Sequence, residues 1–160
     1  MTAPDLLSLA LTDALWSALA ALGFAVLFNV PVRTLPGCMV CGALGHMLRT
    51  LLATAGVSLE LASLVGATVV GFVGSAFARR WETPAMIFTV SGVIPMIPGV
   101  FAFRAMLGVI ALISAPDAQA GLVALYETAA NAARTGLILA ALAVGIAAPT
   151  LFSHRHRPTV

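Results

Sequence analysis

The sequence contains no lysine, and its eight basic residues are all arginine. Acidic residues number six, so charged side chains make up only 9% of the 160 residues. A soluble domain carries about 25%, and a chain of this size could not cover a water-facing surface with so little charge. A bilayer removes that demand, because lipid tails solvate apolar side chains. With a hydrophobic share of 61% and a mean hydropathy of +1.06, several stretches approach the ~20 apolar residues that cross a bilayer. The expected fold class is all-α, a polytopic helical bundle in a membrane. A net charge of +2 offers no basic surface, so no nucleic-acid partner is expected.

Further absences narrow the chemistry. No Walker-type phosphate loop is present, so the chain does not itself hydrolyse a nucleotide to drive transport. It also has no HExxH, serine nucleophile elbow or paired cysteine metal set, so no enzyme, metal centre or cofactor is expected. Two cysteines, Cys38 and Cys41, form CMVC. That spacing suits a thiol oxidoreductase or half a metal site. Inside an apolar helix with no second pair, it reads as two small packing residues. The residues before Arg33 carry no positive charge. A cleaved signal peptide is therefore not expected, although Ala18-Leu19-Ala20 imitates a cleavage site.

Hydropathy predicts about five helices in a single integral-membrane domain over residues 1–160. They run over 6–30, 37–55, 59–78, 84–114 and 125–152, the fourth interrupted at Pro95, Pro98 and Gly99. FNVPVR ends the first, since Pro31 disfavours helix at Val30. Arg33, then Arg79 and Arg80, then Arg155 and Arg157 follow the first, third and fifth segments. Five spans place these ends on one side, and an arginine excess marks the cytoplasm. The N-terminus is then outside and the C-terminus inside, with the HRHR tail as a topology anchor. A count of four would misplace Arg33 or Arg79-Arg80 unless segment two is re-entrant. Small residues recur at four-residue spacing: Gly37, Cys41 and Gly45; Ala62, Gly66, Val70, Gly74 and Ala78; Ala132, Gly136 and Ala140. Such faces let helices approach closely in lipid. No internal repeat is visible, so any inverted pair would need a partner chain or a homo-oligomer.

Three places could carry chemistry. In VIPMIPG, Pro95 and Pro98 cannot donate to the helical ladder, so carbonyls near Ser91 and Ile94 lose their donors. Non-helical backbone at membrane depth is tolerated only against protein or a wet cavity. The half-helix starting near Val100 would present free N–H groups to an anion. Arg104 follows one turn or so later, and a central arginine should face the bundle interior or a carboxylate. His46 and Arg49, three apart, share a helix face; an imidazole suits a coupling proton and a guanidinium an anionic solute. Glu60 is a second proton-coupling candidate, and Asn131 can both donate and accept. Asp13, Glu127 and Arg134 are read as interfacial charges near helix ends.

FNVPVR at 28–33, GHMLR at 45–49, SLELAS at 58–63 and FTVSGVIPMIPG at 88–99 together resemble the small subunit of the threonine/serine exporter family. The resemblance covers most of the chain, in matching order and length. It implies secondary export of small amino acids or dicarboxylates such as succinate, with a larger membrane subunit of the same family as partner, in a bacterial inner membrane. The motif residues His46, Arg49, Pro95, Pro98 and Gly99 fall within the shared patterns, while Arg104 would tune substrate choice. A non-transporting assembly subunit is the alternative, and a thiol oxidoreductase using Cys38 and Cys41 a weaker one. Replacing both cysteines by serine is expected to leave export unchanged. Loss of export at unchanged protein level would favour the thiol reading.

Overall fold

The computed structural model describes residues 3–153, and the HRHR tail with Arg155 and Arg157 lies outside them. Six α-helices follow in order: α1 (Ala3–Leu27), α2 (Leu35–Thr54), α3 (Leu59–Trp81), α4 (Met86–Val93), α5 (Gly99–Ile113) and α6 (Ala118–Ser153). Short 3-10 turns at Val32–Thr34 and Ile94–Met96 precede α2 and follow α4, and no strand occurs among the described residues. Four stretches are long and apolar enough to span a bilayer: Asp5–Leu27, Val32–Thr54, Leu59–Trp81 and Ala118–Leu151. Met86–Met96 with Gly99–Ile113 makes a fifth if the interrupted pair counts as one span. The chain is thus an all-α polytopic bundle, as its composition requires.

The helix ends have local causes. α1 stops at Asn29, which takes a left-handed φ of 56°. Asn29 N–H then donates to Val26 O at 2.9 Å and Val30 N–H to Ala25 O at 3.0 Å, a Schellman closure. The stop thus comes from Asn29, two residues ahead of Pro31. Gly56, with φ 89°, closes α2 in the same way. α6 begins seven residues before the predicted 125. The Asp117 carboxylate accepts from Ala120 N–H at 2.8 Å, which caps the helix there. Glu127, Asn131 and Arg134 therefore lie well inside α6 and not in its first turns.

The chain divides into two compact units: the described residues of 1–96 with those of 141–160, and 97–140. In the first unit, α2 packs against α1, α3 and α4. A Cβ built on Gly42 would stand 2.5 Å from Ala21 Cβ and 2.9 Å from Ser17 O. Only glycine lets α1 come this close. At Gly45 a Cβ would overlap Val70 Cγ2, and one on Gly66 would lie 2.6 Å from Gly45 O. The predicted small faces of α2 and α3 are therefore the packing faces. Ala132, Gly136 and Ala140 differ: they are exposed, and nothing lies within 4 Å of a Cβ at Gly136. The buried residues of that part of α6 are Ile138 and Leu142. Trp81 of α3 stacks on Phe88 of α4 at 5.4 Å between centroids, and Phe77 meets both edge-on.

Gly42→Val should wedge α1 from α2 and cost about 1–3 kcal/mol, the usual range for overpacking. Gly136→Val should be near neutral. Melting of the purified chain in detergent checks the contrast, and equal melting temperatures would contradict the packing assigned to Gly42.

Candidate functional site

The site in the first unit is built one helical turn from its glycine contacts. α1 and α2 run antiparallel, so moving four residues back from Ser17 and four forward from Gly42 brings Asp13 level with His46. There His46 Nδ1 lies 2.7 Å from Asp13 Oδ2. Thr50, one turn further along α2, donates its hydroxyl to the same oxygen at 2.8 Å. The two ionisable side chains are only 21% and 22% exposed. With Nδ1 engaged by the carboxylate, Nε2 is the ring nitrogen left for other partners.

A second step starts at Gly45. A Cβ there would lie 3.1 Å from Met96 Cε, so the interrupted segment sits directly on α2. One turn on, Arg49 Nη1 donates to the backbone oxygen of Met96 at 2.9 Å. In an unbroken helix that carbonyl would accept from residue 100. Here the guanidinium takes that place, and the charged donor makes the bond stronger than an amide would. His46, Arg49 and Thr50 together line a cavity of about 320 Å³, completed by Ala53, Thr54 and Leu59.

The break itself is made by proline. Pro98 has φ −80° and ψ 54°, and Gly99 N–H donates to Ile97 O at 2.8 Å. This is an inverse γ-turn centred on Pro98. Gly99, at which the interruption was also expected, has no positive φ and is the first residue of α5. Pro95 sits inside the 3-10 turn, which tolerates the missing donor better than an α-helix interior does.

The predicted residues thus separate into two groups. His46 and Arg49 line one cavity, and Arg49 also bonds the Met96 carbonyl of the segment that carries Pro95. Glu60 lies in the first turn of α3, behind the Ser58 cap; its neighbour Leu59 lines the cavity and Glu60 does not. Arg104 and Asn131 belong to the second unit, where they line a different cleft with Tyr126 and Glu127. Arg134 stands over the Phe101 ring at 5.2 Å, a cation–π contact. Cys38 and Cys41 are fully buried, and the Cys38 thiol donates to Ile87 O at 3.4 Å.

Asp13, Thr50 and the Met96 carbonyl were missed from sequence. Asp13 was read as interfacial because segment one was drawn from residue 6. α1 begins at Ala3, which carries Asp13 well into the helix. The available signal was its solitude, as the one ionisable residue in the long apolar run from Leu6 to Val32.

Fold and site together describe a multi-pass membrane protein with a half-buried polar cluster beside an interrupted helix. The family model described as Threonine/Serine exporter, ThrE, matches residues 13–152, and the chain belongs to the threonine/serine exporter family. No solved structure matches it.

Arg49→Met should leave the Met96 carbonyl unsatisfied and cost about 1–3 kcal/mol. Arg49→Lys should recover part of that loss. Detergent melting curves read both, and an unchanged Arg49→Met curve would show that the bond contributes nothing.

Proposed function

We propose that this chain is the small subunit of a two-component secondary exporter for small carboxylate solutes, threonine- and serine-like amino acids or a succinate-like dicarboxylate. Its partner is a larger membrane subunit of the same family. The complex resides in a bacterial inner membrane, with this chain's N-terminus outside and C-terminus cytoplasmic.

The observation that carries the reading is the Arg49–Met96 hydrogen bond beside the Asp13–His46 pair. A guanidinium has five N–H donors, and the bond to Met96 uses Nη1. A carboxylate in the cavity would meet the remaining donors and the His46 ring. The cavity's charge depends on one proton. With His46 neutral, Asp13 and Arg49 cancel. With His46 protonated, the cluster carries a net positive charge and holds an anion better. By linkage, the bound anion in turn favours the proton. An anion arriving at Arg49 also competes for the donor that closes the break at Met96. Solute binding and the conformation of the broken segment are then coupled through one side chain.

Efflux of preloaded labelled threonine and of labelled succinate tests this, in cells lacking their own exporters. The chain is expressed alone, the larger subunit alone, and both together. Export is expected only with both. Export by the larger subunit alone would reduce this chain to an assembly role.

A further inference from the structure

Helices α5 and α6 form a hairpin within the second unit, joined by residues 114–117. Its register is set at Gly108, where a Cβ would overlap Thr128 Oγ1 and lie 3.3 Å from Thr128 Cα. Counted from that contact along antiparallel helices, Arg104 stands level with Ala132, and Glu127 with Val109. The two charges thus differ in level by about 7.5 Å, at 1.5 Å per residue. Both line one open cleft of about 490 Å³, and both are exposed. Neither has an ion-pair partner among the described residues. Arg134 lies about 10.5 Å further along α6 than Glu127 and is held over the Phe101 ring.

The surroundings make these two charges informative. α5 has no buried residue, and Phe103, Met106, Leu107 and Ile110 around Arg104 are all exposed. Lipid solvates that apolar surface, but it does not solvate a guanidinium or a carboxylate set into it. Each charge calls for an opposite one. The cleft offers one of each sign, Arg104 on α5 and Glu127 on α6. A two-fold axis parallel to the hairpin supplies both missing partners at once. It lays cleft on cleft, with α5 of each copy against α6 of the other. Arg104 of each copy then faces Glu127 of the other, as the reciprocity of an isologous contact requires. The long arginine stem leans along the helix to cover the difference in level. Both copies keep the same orientation in the membrane.

We propose that the α5–α6 cleft is the contact surface for a second copy of this chain, held by two reciprocal Arg104–Glu127 ion pairs. Ala111 and Ala130 on the cleft walls are small enough for the copies to approach closely. The pairing does not depend on what the chain exports, and its test uses no solute and no efflux.

Two differently tagged full-length copies are co-expressed in membranes, and one tag is used for purification in detergent. Unsubstituted copies should co-purify. Arg104→Glu sets like charges against each other at both contacts, so two Arg104→Glu copies should co-purify several-fold less, and two Glu127→Arg copies likewise. An Arg104→Glu copy should pair with a Glu127→Arg copy at the unsubstituted level, because both contacts are then of opposite sign. In intact membranes, Ala130→Cys should be cross-linked copy to copy by a short bis-maleimide. The unsubstituted chain gives the background from the buried Cys38 and Cys41. Ala132→Cys, about 200° away around α6 and also exposed, should stay at that background. The proposal is overturned if unsubstituted copies neither co-purify nor cross-link through Ala130→Cys, or if Ala132→Cys cross-links in its place. It is overturned if the single variants fail to rescue each other while Arg104→Glu/Glu127→Arg copies pair with themselves, since the charges then close within one chain. It is overturned, too, if the single variants lose a co-expressed larger membrane subunit and keep the second copy, because the larger subunit is then the occupant.

Discussion

A backbone carbonyl that has lost its helical donor cannot be left bare in hydrocarbon, and the Met96 carbonyl is such a group. Pro98 turns the chain out of the helix in an inverse γ-turn, and Arg49 supplies the missing donor from α2. An arginine is an expensive choice for this task, because its own charge needs company. That company stands one helix away: Asp13 carries the opposite charge, and it is itself held by His46 and Thr50. Break, arginine and acid–imidazole pair form one dependent set. Remove the break, and the guanidinium loses its acceptor.

The set depends in turn on residues without side chains. Gly42 admits α1, and one turn on, His46 meets Asp13. Gly45 admits the interrupted segment, and one turn on, Arg49 meets Met96. Each polar contact sits four residues beyond a glycine, so GALGHMLR encodes both the approach and the chemistry that the approach makes possible. A larger residue at either glycine would move the polar partners out of hydrogen-bonding range before it disturbed them chemically.

Much of this was legible in the sequence. Scarce charge and long apolar runs defined the membrane helices, and the two prolines located the interruption. The spacing of His46 and Arg49 placed them on one face. What sequence could not provide was the partner of each group, because pairing across helices depends on register and rotation that hydropathy does not encode. Asp13 looked interfacial by position, although it lies within α1. The start of α6 was set late because SAPDAQA is polar, yet Asp117 in that stretch is the cap that begins the helix. Ala132, Gly136 and Ala140 differ: a small-residue spacing marks a face that can pack, and here that face is exposed while Ile138 and Leu142 are buried.

The central claim is that Asp13, His46 and Arg49 act as one unit in export, with the pair setting the charge around the arginine. A double-mutant cycle on efflux, corrected for complex abundance, tests it most directly. Asp13→Asn and His46→Gln are each expected to slow export, and the double variant should be little worse than the more damaging single one, as for groups that act together. Losses that multiply would contradict the account, as would single variants that export at the unsubstituted rate.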